Sequence, residues 1–142
     1  MPELKDVPLF ATCGVKALLV CDHHFLVLSK PAWVEETACT WNDLPGGRVN
    51  YGESCPQKAL RRELEEEIGC NECSIIRPLH MATVVNGKKT HVVATIFHCV
   101  SKNKKVALSK EHSDYCWLSL NEIHKEPLPE WIKEAALLLL PS

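Results

Sequence analysis

The stretch Gly46 to Cys70, GGRVNYGESCPQKALRRELEEEIGC, decides how the rest of the chain is read. Its second half, Pro56 to Ile68, is made of good helix formers. It opens with a proline acceptable in a first turn, has Ser54 available as a cap and stops at Gly69. Within this predicted helix Arg62, Glu63, Glu65, Glu66 and Glu67 crowd together, more like charge than an isolated helix tolerates. At about 100° per residue, Glu63, Glu66 and Glu67 share one arc while Leu60, Leu64 and Ile68 occupy the adjoining one. One face therefore packs and its neighbour presents three carboxylates. Such a cluster suits a hard divalent cation such as Mg²⁺, which takes oxygen ligands and shares its other positions with water and substrate phosphates. Gly46 and Gly47 allow main chain to approach the same cation closely. The competing reading is an acidic, solvated helix face with i, i+4 pairs.

On either side of this stretch the pattern alternates between strand and turn. Val15 to Cys21 and Phe25 to Leu28 are short apolar runs separated by Asp22, His23 and His24, the signature of an opening hairpin. Pro31 to Trp41 is irregular, and Leu44 to Gly47 reads as a loop. Ser74 to Val85 and Thr90 to Val100 form a second predicted hairpin around Asn86-Gly87, and Lys102 to Lys105 reads as a solvated turn. Tyr115 to Leu120 is a further strand. From Pro129 onward, Ile132, Ala135, Ala136 and Leu139 recur at helical spacing, giving an amphipathic helix docked on the core. Strands mixed with two helices, without repeats or linkers, predict one α/β domain spanning residues 1–142.

Composition narrows the function. The 142 residues are 46% hydrophobic, enough for a core, and the net charge of -2 offers no general field for gripping nucleic acid or an anionic membrane. The start, MPELKDVPLF, lacks the features of a signal peptide, and runs such as AALLLL are too short to span a bilayer. The expectation is a soluble, cytoplasmic protein. Eight cysteines fit scattered reduced thiols better than a disulfide framework in a chain of this size. Only Cys70 and Cys73 form a C-x-x-C pair, and without a second pair or well-placed histidines nearby it is expected to hold no zinc.

The Gly46 to Cys70 stretch closely resembles the Nudix hydrolase family. That family's box runs Gly, five residues, Glu, seven residues, Arg-Glu, an apolar residue, any residue, Glu-Glu, any residue, Gly, apolar. Gly47, Glu53, Arg62, Glu63, Leu64, Glu66, Glu67, Gly69 and Cys70 fill these places, with one departure: eight residues, Ser54 to Arg61, separate Glu53 from Arg62. The longer loop bears on the reach of Glu53 but leaves the three helix carboxylates in register with one another. The resemblance implies an α/β/α sandwich with a mixed β-sheet. It further implies Glu66 and Glu67 as the main metal ligands, Glu63 as a further ligand or the general base, and the Gly47 carbonyl as a ligand. Arg62 is implied to orient the carboxylates, and Glu53 to support the box from the loop side.

Some family members take their base from a later loop, and Glu111 resembles such an acid. His112 beside it could act as a base near neutral pH, though a plain loop histidine is the commoner case. Trp33, Trp41 and Tyr51 flank the box and are candidates to stack on a base. The implied activity is Mg²⁺-dependent hydrolysis of a diphosphate linkage, with Mn²⁺ as a substitute ion. The implied partner is a small nucleotide, with nucleoside triphosphates ranked first and nucleotide sugars second. The alternative is a Nudix-fold module that binds or senses a nucleotide without hydrolysing it. No oligomeric state is read from the sequence.

Overall fold

The computed structural model describes residues 7–8, 10–30, 39–85 and 90–141. The first strands, β1 (Thr12–Cys21) and β2 (His24–Ser29), form the expected hairpin, with Cys21 opposite His24. Its tight turn places Asp22 and His23 at positive φ, 49° and 63°. Two successive left-handed residues match the right-handed twist of the flanking strands. A short strand, β3 (Gly46–Arg48), pairs antiparallel with β1, so the segment expected to be a loop adds to the sheet.

Helix α1 (Pro56–Ile68) follows the predicted bounds. Its N-cap is Cys55 and not Ser54, and no side chain caps it; Pro56 in the first turn has no N–H to satisfy there. At the other end Gly69 adopts φ 68°, and the Gly69 and Cys70 N–H groups return to the Glu65 and Leu64 carbonyls. That left-handed close is the reason for a glycine after the helix.

Strands β4 (Ser74–Val85) and β5 (His91–Val100) pair antiparallel, with register irregularities around Arg77 and Pro78. Pro78 is tolerated because β4 is the outermost strand on its side of the sheet. The Asn86-Gly87 turn expected between them lies outside the described residues. Strand β6 (Asp114–Ser119) and helix α2 (Glu130–Leu137) complete the order. The helix ends before Leu139, which still packs on the core.

The sheet runs β4-β5-β1-β2-β6, with β3 also on β1. It is mixed because β1 and β5 are parallel, with Thr12 opposite Val92 and Val20 opposite Val100. Alternate residues feed two cores. Val15, Ala17 and Leu19 of β1, with Leu26 and Leu28 of β2 and Phe97 of β5, meet Leu60, Leu64 and Ile68 of α1. Leu18, Phe25, Val27 and Ile96 face the opposite way, toward Ile132, Ala135 and Ala136 of α2. Burial of both sheet faces explains why these strands read as nearly continuous apolar runs. The expected α/β/α sandwich with a mixed sheet is therefore the observed fold.

Cys70 and Cys73 are free thiols just past α1, the second buried and the first partly so. Their mutual hydrogen bond draws the Cys70 thiol below the ordinary range, while the same bond and burial push Cys73 up. At pH 7, iodoacetamide should therefore label Cys70 well ahead of Cys73 and Cys99, as peptide mass spectrometry would measure.

Candidate active site

Strand β3 passes so close to β1 that a side chain at Gly46, which has φ 141°, would collide with the Val15 carbonyl. Gly47 next to it adjoins α1, where an added Cβ would strike the Glu63 carboxylate. The two glycines thus bring main chain against the acidic face of the helix. Because the obstructing atoms at Gly47 end a flexible side chain, Gly47→Ala should fold with little change in melting while displacing Glu63. Turnover is then expected to fall by roughly tenfold to a hundredfold, measured by steady-state kinetics beside a thermal melt.

Arg62 is the hub of the outer part of the site. Its Nε and Nη2 donate to the two Glu53 oxygens at 3.0 and 2.9 Å, and Nη2 also donates to the Arg48 carbonyl at 3.2 Å. Its Nη1 reaches Glu63 at 2.8 Å and Glu66 at 3.1 Å. The Glu53 hydrogen bond, then Glu63, raise the Arg62 guanidinium pKa further, and Arg62 in turn lowers that of Glu53. The Asn50 amide adds a bond to Glu53 at 2.6 Å. The longer loop before α1 therefore leaves Glu53 within reach of the arginine. This cation offsets the like charge that makes the helix face unfavourable alone.

A buried network lies beneath. Asp43, just before β3, accepts from Lys16 of β1 at 3.0 Å, from the Leu44 amide at 2.9 Å and from His112 Nε2 at 2.9 Å, with Lys30 at 3.8 Å. Lys16 also donates to the Leu44 carbonyl at 3.2 Å. Asn42 braces Lys30 by bonding both its N–H and its carbonyl. Burial alone would push the Asp43 carboxyl up, but Lys16 and His112 hold it well below the usual range. Lys16 is likewise depressed by burial and raised on balance by Asp43.

Glu67, only 4% exposed, faces His112 Nδ1 across 3.5 Å. Neither its Oε1 nor that nitrogen has a hydrogen-bond partner. Desolvation pushes the Glu67 carboxyl up to about 7, against the lowering pull of Lys16 and His112 and with help from Asp43 and Glu111. Ligand atoms of Asp43, Glu67 and His112 all lie within 4.8 Å of one another. Orphaned buried acceptors beside carboxylates are a donor set that fits a divalent cation.

Glu63, Glu67, Gly47, Glu111 and His112 line one cavity of about 670 Å³, together with Lys16, Lys30 and the apolar Val84, Val92, Ala94 and Trp131. Glu66 is more than half exposed and meets Arg62 outside that lining. Tyr51 is fully exposed and Trp41 packs on the α2 core, so neither lines the cavity; Trp33 lies outside the described residues. The sequence reading missed Lys16, Asp43 and Trp131, and it set His112 aside as an ordinary loop histidine. Its side chain is in fact 3% exposed. A lysine inside the apolar run VKALLV was the available signal, since a buried ammonium demands a counter-charge.

Comparison with known proteins identifies the family and the fold. Residues 12–139 match the model of the NUDIX domain. The nucleoside triphosphatase NudI of Escherichia coli is 32% identical over 89 residues, covering 56% of this chain and 62% of that protein. The aligned region thus spans less than two thirds of that relative's length. Among solved structures, a MutT protein from Methanosarcina mazei Go1 superposes with a TM-score of 0.74 at 27% identity, covering 93% of this chain and 94% of its own. A MutT NUDIX hydrolase from Burkholderia pseudomallei gives 0.70 at 23% identity over 92% and 99%, a likeness of fold.

Proposed function

The chain belongs to the Nudix family, and on that premise we propose that it hydrolyses a diphosphate linkage in a small nucleotide, with a nucleoside triphosphate as first substrate and a nucleotide sugar as second. The observation that carries this reading is that Glu63, Glu67, Gly47 and Glu111 share the wall of one cavity with Lys16 and Lys30. Carboxylates for a cation and ammonium groups for phosphate oxygens thus stand together. The whole chain, residues 1–142, is read as one such domain.

Glu66, Glu67, Glu63 and the Gly47 carbonyl are the residues assigned to hold a divalent cation, Mg²⁺ first and Mn²⁺ as its substitute. When bound, that cation neutralises diphosphate oxygens and lowers the pKa of a coordinated water. Arg62 fixes Glu63 and Glu66 by an ion pair each, so these carboxylates are oriented before substrate arrives. Glu53 does the same for Arg62 from the loop side. Glu63 accepts the proton of the attacking water, with Glu111 on the same cavity wall as the other candidate base. Stacking of the nucleobase falls to Trp131, the tryptophan that lines the cavity among the described residues. Buried free thiols at Cys21, Cys73 and Cys99 fit a reducing, cytoplasmic setting.

The test is product identity. The purified chain with Mg²⁺ is offered nucleoside triphosphates and nucleotide sugars, and the products are separated by chromatography. Pyrophosphate plus a monophosphate is expected from the first class, at rates above those of sugar phosphate release from the second. Faster sugar phosphate release reverses the ranking. No hydrolysis of either class overturns the reading.

A further inference from the structure

The unsatisfied atoms beneath the acidic helix face point to something more specific than a carboxylate-only cation site. Both oxygens of Asp43 are engaged: Oδ1 by Lys16 and the Leu44 amide, Oδ2 by His112 Nε2. These bonds hold Asp43 in place beside His112. What it does is fix the tautomer of His112. In the neutral tautomer that donates Nε2–H to Asp43, the other ring nitrogen, Nδ1, carries the lone pair, and it lies 3.5 Å from Glu67 Oε1. Both atoms are buried and without a partner.

We infer that His112 Nδ1 is a nitrogen ligand to the metal, paired with Glu67 Oε1 and oriented by Asp43, so that the centre has mixed nitrogen and oxygen donors. This rests on the reading of the cavity as a metal-dependent hydrolase site. A carboxylate that accepts from one ring nitrogen while the other binds metal is the usual support for a ligating histidine, and it raises the basicity of the ligand. The spacing agrees as well. Two donor atoms each about 2.1 Å from one ion stand about 3.0 Å apart at a right angle and about 3.4 Å apart at the tetrahedral angle. Glu67 Oε1 and His112 Nδ1 are 3.5 Å apart, too far for a good hydrogen bond between them and close to the spacing of a shared ion.

A nitrogen ligand changes which ion the centre prefers. Imidazole favours first-row transition ions, whereas an all-oxygen set suits Mg²⁺. The site should therefore select Mn²⁺ over Mg²⁺ more strongly than carboxylates alone would.

Pulsed electron paramagnetic resonance of the full chain loaded with Mn²⁺ alone tests the assignment. The spectrum is expected to show coupling to one ¹⁴N nucleus, replaced by ¹⁵N coupling when the protein is made with ¹⁵N-histidine. That measurement needs no mutant. In His112→Gln the coupling should vanish, and calorimetry should show Mn²⁺ affinity falling by at least about tenfold, with a much smaller change for Mg²⁺. Bound Mn²⁺ without nitrogen coupling overturns the inference but leaves the hydrolase reading intact. Nitrogen coupling in a protein that hydrolyses no nucleotide leaves the inference and overturns that reading. Failure to bind Mn²⁺ at all overturns both.

Discussion

Glu67→Gln is expected to cut turnover by about a thousandfold while raising the melting temperature of the metal-free protein at pH 8. The two effects share one cause. Glu67 is almost fully buried, and burial pushes its carboxyl up to about 7. Glutamine fills the same space but supplies no anionic ligand, and loss of a charged cation ligand removes several kcal/mol of transition-state stabilisation, at about 1.4 kcal/mol per decade of rate. Without metal, however, the native carboxylate is a liability. Its folded pKa lies above the unfolded one, so the folded state holds the proton more tightly. The resulting stability is present below the ordinary glutamate pKa and is lost as pH rises through about 7. Glutamine mimics the protonated form and escapes that loss, a difference on the order of 1–3 kcal/mol at pH 8. Thermal melts from pH 5 to 8 without metal should therefore diverge as pH rises, with the variant above. A variant that retains full activity removes Glu67 from the metal site.

Asp43→Ala carries the largest expected loss of stability. Lys16 is held in the interior with only 17% of its side chain exposed, and Asp43 is its partner at 3.0 Å. Removing one member of a buried pair leaves an uncompensated charge and costs about 3–5 kcal/mol. Here His112 Nε2 loses its acceptor at the same time. The expected fall in melting temperature is roughly 10 to 15 °C for a domain of this size. The double variant Lys16→Met, Asp43→Ala should recover much of it, because the orphaned ammonium is then gone. If the double variant melts no higher than Asp43→Ala alone, the ion pair is not the source of the loss. Asp43 also sets an acid limit: Lys16 and His112 hold its pKa low, so the stability it contributes is present at neutral pH and lost only in strong acid.

What the sequence revealed was local. Helix α1 and the β1–β2 hairpin announce themselves through a single period or turn, and the carboxylates keep their relation because one helix fixes it. Strand β3 was invisible because three residues containing two glycines carry no strand propensity; β1 supplies the pairing instead. The buried network was illegible for a different reason. Lys16, Asp43 and His112 come from three distant segments, and no spacing rule joins them. His112 looked like surface because its neighbours are polar, yet Asp43 and Glu67 close over it. The tryptophans misled in the opposite direction. Nearness to the box in sequence placed Trp41 beside the substrate, but its side chain turned inward to the α2 core, and the cavity took Trp131 from the far end of the chain.

The parallel pairing of β1 with β5 also has a kinetic consequence. Thr12 is matched to Val92 and Val20 to Val100, so β1 meets its long partner only after β2, β3, α1 and β4 between them have been made. Closing so long a loop is entropically costly, and folds dominated by such pairings form slowly. Until β5 arrives, β1 has only β2 and β3 beside it and presents a row of unpaired N–H and C=O groups on the side that β5 takes up. The strand that carries Lys16 is thus open to mispairing during synthesis, and the charge that later anchors the site also makes that waiting edge less adhesive.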